Sequence, residues 1–144
     1  MSIMTSIINK FSKSIPNLEE KAGKALAAGK VNTAIKAYLD IAGKNYPRLT
    51  LDKKLDALTN AAIIAIENDQ MNKAARILMK KSDLLRINAR NADAFDELSN
   101  AISAAKSSND GQLLKELEYE KQVLDSSMGK GLIISYPISK IAYK

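Results

Sequence analysis

Cysteine, histidine and tryptophan are absent from this 144-residue chain. Without cysteine there is no disulfide, no thiolate nucleophile and no cysteine-held zinc or iron–sulfur centre. Without histidine there is no Ser-His-Asp or Cys-His machinery and no histidine-held metal. Aromatic residues are 5% of the sequence, so platforms for stacking nucleic-acid bases are few. No run approaches the roughly 20 apolar residues that a membrane-spanning helix needs. Gly129-Lys130-Gly131 is too short and wrongly spaced for a phosphate-binding loop, and no aspartate-rich calcium loop occurs. Glu116, Glu118 and Glu120 alternate along one segment, so neighbouring carboxylates do not share a helix face. No residue set nominates a reaction. The expectation is a non-enzyme with no catalytic, cofactor or metal site.

What the chain does have is positive charge. Lys and Arg number 22 against 16 Asp and Glu, a net +6. Residues 1–50 hold most of the excess, with eight basic and three acidic side chains; residues 51–100 hold eight of each, and residues 101–144 six and five. Such a field favours anionic partners such as nucleic acid, anionic lipid or an acidic protein surface, and it also simply keeps a protein in solution. Lys10 and Lys13 follow the first apolar residues instead of preceding them, which is not the order of a secretory signal. A cytoplasmic location is the expectation.

Hydrophobic spacing predicts about seven helices. Ile3, Ile7, Phe11 and Ile15 make an amphipathic first helix, which Pro16 is expected to stop. Asn17 and Glu20 form a capping-box pattern before a second helix at about 18–28, with Leu18, Ala22, Ala25 and Leu26 as its inner stripe. Asn32 is placed to cap a third, at about 33–44, and Thr50 a fourth, at about 51–67, whose stripe includes Leu55, Leu58, Ala62, Ala65 and Ile66. Three more follow at about 71–88, 92–106 and 112–126. The first of these carries Ala74, Ala75, Leu78, Leu85 and Ile87 inward, and the last Leu113, Leu117 and Leu124. Residues 128–144 differ in kind: Leu132, Ile133, Ile134 and Tyr136 are apolar and β-prone, with Pro137 behind them.

The stripes repeat with a shift of 40 residues. Ile15, Leu55 and Phe95 align, as do Leu18, Leu58 and Leu98, then Ala22, Ala62 and Ile102, then Ala25, Ala65 and Ala105. Gly29, Asp69 and Asn109 coincide in a turn, and Ala34, Ala74 and Leu114 follow. The pattern describes a helical hairpin, and a lone hairpin cannot bury its apolar face, so hairpins stack. An antiparallel helix bundle is the alternative. Residues 1–144 then read as one helical domain: an N-terminal helix (1–16), three hairpins of about 40 residues (17–127) and an extended tail (128–144).

With Ala22, Ala25, Ala34, Tyr38 and Pro47 in the first unit and Ala62, Ala65, Ala74 and Leu78 in the second, residues 15–127 resemble the tetratricopeptide (TPR) type of helical repeat. The period of 40 instead of about 34 departs from that family. The family's Trp is also missing, and the third unit keeps only part of the pattern. The resemblance implies an all-α, TPR-like solenoid that holds peptides or proteins in a concave groove. It places Asn60 and Asn100 near the family's ligand-binding asparagines, without the lysines that complete a carboxylate clamp.

Three features are candidates for binding. Lys73, Arg76, Lys80, Lys81, Arg86 and Arg90 form a basic run broken only by Asp83, and Lys73, Arg76 and Lys80 share a helix face. A solvated helix surface is the plainer reading of that run. The N-terminal helix suits a membrane interface or, more plainly, a cap on the helical stack. The tail residues Leu132, Ile133, Ile134 and Tyr136 suit strand pairing with a partner or a second copy, or packing back on the last hairpin. The function these features point to is a non-catalytic protein–protein interaction module, an adaptor or a structural component of an assembly. A basic nucleic-acid-associated or membrane-surface factor is the alternative.

Overall fold

The computed structural model describes residues 16–43 and 50–129, and these form six helices, with no strand among them. They are α1 (residues 16–27), α2 (Val31–Ala42), α3 (Leu51–Glu67), α4 (Met71–Ile87), α5 (Asn91–Ser108) and α6 (Gly111–Gly129). The expected helix over residues 3–15, Pro47 and the tail residues Leu132, Ile133, Ile134 and Tyr136 lie outside the described residues. The chain divides into two compact units, Met1–Ile64 and Ala65–Lys144.

Helix starts recur every twenty residues: Val31, Leu51, Met71, Asn91 and Gly111. The turns explain the regularity. Gly29, Asp69, Ala89 and Asn109 all adopt left-handed backbone, with φ of 75°, 58°, 61° and 57°. In three of these turns the next amide reaches back five residues to a helix carbonyl: Lys30 to Ala25 at 2.8 Å, Gln70 to Ala65 at 2.8 Å and Arg90 to Leu85 at 2.9 Å. This is the Schellman closure, which satisfies the last carbonyls of one helix before the next begins.

Several sequence-based boundaries shift. Pro16 and Asn17 are themselves helical, so Asn17 is not the cap of α1. Lys30, not Asn32, occupies the N-cap of α2, and it makes no side-chain cap bond. Thr50 does cap α3, its hydroxyl accepting the Lys53 amide at 3.3 Å. Leu26, Ile66 and Ile87, expected in the inner stripes, are each at least 40% exposed. All three sit at or near helix C-terminal ends.

In the first unit the buried layer is alanine-rich: Ala22, Ala34, Ala37, Ala61 and Ala62, with Ile35, Ile41 and Leu58 as its larger members. In the second unit α5 packs against both α4 and α6. Ala74 and Ala75 on α4 and Ala94, Ala101 and Ala105 on α5 are wholly buried. Small side chains at these positions let helix axes approach closely. Ser82 belongs to the same layer, and its hydroxyl donates to the Ala94 carbonyl at 2.8 Å, tying α4 to α5. Lys121 of α6 stands over the Phe95 ring of α5, 4.8 Å from its centroid.

Candidate functional site

The basic run on α4 does not form one continuous strip. Arg86 is wholly buried. Lys81 pairs with Glu97 of α5 at 2.6 Å, and each side chain is only 16% exposed. Arg90 pairs with Asp93 through two contacts of 2.9 Å. Arg86 and Lys81 are thus withdrawn from the surface, whereas Arg90 stays exposed beside Asp93. Arg76 and Lys80 are exposed as well, and Lys73 is half-buried. Arg76 is held in place: its Nε donates to Asn72 Oδ1 at 3.2 Å. The Asn72 amide in turn donates to Asp110 Oδ2, and Asp110 Oδ1 accepts the Leu113 amide at 3.0 Å, capping α6.

Arg86 leads to a feature that composition did not reveal. Glu120 on α6 is also wholly buried, amid the buried leucines Leu113, Leu117 and Leu124 of its own helix. Neither of its carboxyl oxygens has a hydrogen-bond partner. Burial pushes the Glu120 carboxyl up to about 8; the charges of Asp83 and Glu116 push the same way, and the Arg86 guanidinium opposes them. The sequence signal was the register of Glu120, at the third position of a stripe that reads Leu113, Leu117, Glu120, Leu124. Among the described residues no group of three or more acidic side chains is placed to hold a metal ion.

The two sequence-selected asparagines differ in their surroundings. Asn100 on α5 is exposed, with its amide 3.5 Å from Glu97 Oε2. Asn60 on α3 lines a cleft of about 310 Å³ in the first unit, together with Glu19 of α1, Tyr38 and Ile41 of α2, and Lys53, Asp56 and Ala57 of α3. The four α3 residues follow the three-and-four spacing of one helix face. Ile41 and Ala57 are buried and make an apolar floor; Glu19, Lys53, Asp56 and Asn60 are exposed at the rim. A second, wider hollow of about 600 Å³ lies between α1 and the start of α2, and it is basic: Lys21, Lys24 and Lys30 stand against Glu20 alone. Sequence reading missed both hollows because each draws its residues from helices that only the fold brings together.

Among the described residues no helix is long and apolar enough to cross a membrane. No family model, no curated protein and no solved structure matches the chain.

Proposed function

We propose that the chain is a non-catalytic protein–protein interaction module, built as a TPR-like stack of helical hairpins that offers preformed hollows to a partner segment. The observation that carries this reading is the recurrence of a left-handed residue in the inter-helix turns, at Gly29, Asp69, Ala89 and Asn109, with helix starts at Val31, Leu51, Met71, Asn91 and Gly111 spaced by twenty residues. Such an array positions neighbouring helices without folding on the ligand, so a partner segment meets an ordered surface and binding costs less entropy. The cleft at Asn60 fits that role: an apolar floor with polar groups around its rim.

The test is a titration of the isotope-labelled full chain with capped peptides of basic, acidic and apolar composition, read from backbone amide shifts. An interaction module gives saturable shifts on one contiguous surface with at least one class. Flat titrations with every class overturn the reading.

A second reading, an anionic partner on Lys73, Arg76 and Lys80, draws support from the Asn72–Asp110 relay that holds Arg76 outward. Binding of duplex DNA at that face, falling steeply as salt rises, is its signature.

A further inference from the structure

We propose that the cleft where α1, α2 and α3 meet binds a lysine or arginine side chain from an extended segment of a partner protein. This rests on the interaction-module reading above and names the partner's chemistry at the Asn60 cleft.

The argument begins with charge. The protein carries +6 overall, yet among the described residues this cleft is lined by two carboxylates, Glu19 and Asp56, against one ammonium, Lys53, a local balance of −1. That local excess of carboxylate favours a cationic group here. The side chains are also uncommitted. Lys53 and Asp56 stand three residues apart on α3, yet they form no ion pair with each other. Glu19, Tyr38 and Asn60 likewise have no side-chain partner among the described residues. Elsewhere in the molecule comparable groups are engaged: Glu20 with Lys24, Glu97 with Lys81, and Asp93 with Arg90.

Shape and chemistry select the ligand further. A volume of about 310 Å³ is at the small end of ligand clefts. It admits one long side chain and a short stretch of backbone, not a folded surface. Ile41 and Ala57 form an apolar floor for the methylene stem of Lys or Arg, whose charged head stays among carboxylates at the rim. Tyr38, half-buried, offers a ring face and a hydroxyl. Asn60 has both a donor and an acceptor, the pair needed to hold a peptide unit of the partner's backbone.

The test uses the isotope-labelled full chain and four capped pentapeptides that differ only at the centre: lysine, arginine, norleucine or glutamate. The lysine and arginine peptides should shift the amides around residues 53–60, saturate, and weaken as salt rises. Norleucine, which keeps the stem and lacks the charge, should bind about tenfold less well. Asp56→Asn and Glu19→Gln should each weaken lysine-peptide binding by about two- to fivefold. Both positions are exposed, so melting curves matching the parent show that the fold is kept. Asp56→Lys should transfer the preference to the glutamate peptide. Equal binding of the lysine and glutamate peptides by the parent overturns the proposal. So do saturable shifts that map to Lys73–Lys80 or to Lys21–Lys30; these leave the interaction-module reading standing. Silence from these peptides and from the wider panel overturns both. Shifts at the cleft that track protein concentration without peptide identify a second copy as the occupant, and they too overturn the assignment to a foreign partner.

Discussion

Arg86 of α4 and Glu120 of α6 are both wholly withdrawn from solvent, and the guanidinium acts electrostatically on the carboxyl. The attraction does not outweigh burial. The net effect holds Glu120 at about 8, well above its ordinary 4.5, with Asp83 and Glu116 adding to the rise. A charge brought out of water loses more hydration than one partner restores when further hydrogen bonds are missing. Glu120 is in that position, since neither oxygen has a hydrogen-bond partner.

The consequence is a stability that falls as pH rises. Between 4.5 and about 8 the native Glu120 keeps a proton that the unfolded chain has released. The contribution is fully present below 4.5 and is lost as pH climbs through about 8. Glu120→Gln mimics the protonated acid and removes this dependence. Melting temperatures of parent and variant, compared from about pH 5 to about pH 9, should diverge in the variant's favour at the alkaline end. Parallel curves would show that Glu120 titrates as an ordinary carboxylate.

Ala89 is an alanine where the backbone is left-handed, φ 61°, in a turn otherwise served by Gly29, Asp69 and Asn109. A Cβ in that region costs about 1 kcal/mol or more, and Ala has no side-chain hydrogen bond to offset it. Ala89→Gly should therefore stabilise the chain by about 1 kcal/mol, offset in part by the extra freedom of glycine in the unfolded state. Gly29→Ala should cost a similar amount, about 1 kcal/mol. Around Gly29 nothing lies within 4 Å of an added Cβ, so φ alone decides the outcome. Thermal unfolding reads both; a destabilised Ala89→Gly would contradict the argument.

Much of the helical layout was legible because each helix is amphipathic and the described turns are short. The α3 boundaries match the apolar stripe from Leu51 to Glu67, and the other starts fall within two residues of those read from the sequence wherever both are described. The inner alanines Ala22, Ala25, Ala62, Ala65 and Ala105 were legible from the 40-residue shift, and all are buried. The partition of charge was not legible. Lys73 to Arg90 read as one basic run because a cation carries no mark of its partner. The fold takes Arg86 inside, gives Lys81 to Glu97 and gives Arg90 to Asp93. The cleft at Asn60 was half legible: the asparagine stood out, but Glu19 and Tyr38 lie 41 and 22 positions away in sequence and reach it only through the packing of α1 and α2.

Ser82 tests how tightly α4 and α5 are packed. It is wholly buried and donates to the Ala94 carbonyl at 2.8 Å. Ser82→Ala keeps the volume nearly unchanged and removes only the bond, at a cost of about 1 kcal/mol. Ser82→Leu adds side-chain volume to a layer built from alanine, and overpacking of that kind costs about 1–3 kcal/mol on top of the lost bond. Denaturant midpoints should rank the parent above Ser82→Ala, and Ser82→Ala above Ser82→Leu. Equal midpoints for the two variants would mean that the crossing has room to spare.

Asp110 makes two bonds with one carboxylate, and substitution separates them. Oδ1 accepts the Leu113 amide at 3.0 Å and caps α6; Oδ2 accepts the Asn72 amide and links the α5–α6 turn to the start of α4. Asp110→Ala removes both and should cost about 2 kcal/mol, roughly 1 for the cap and 1 for the cross-helix bond. Asp110→Asn keeps a cap oxygen but turns the second acceptor into a donor facing the Asn72 amide. Its loss should be near half that of alanine. Asn72→Ala removes the cross-helix bond from the other side and also frees Arg76, whose Nε rests on Asn72 Oδ1 at 3.2 Å. If the relay is real, Asn72→Ala should add little further loss in an Asp110→Ala background, because the two residues share one interaction. Full additivity of the two losses in denaturant unfolding would show that Asp110 acts only as the cap of α6.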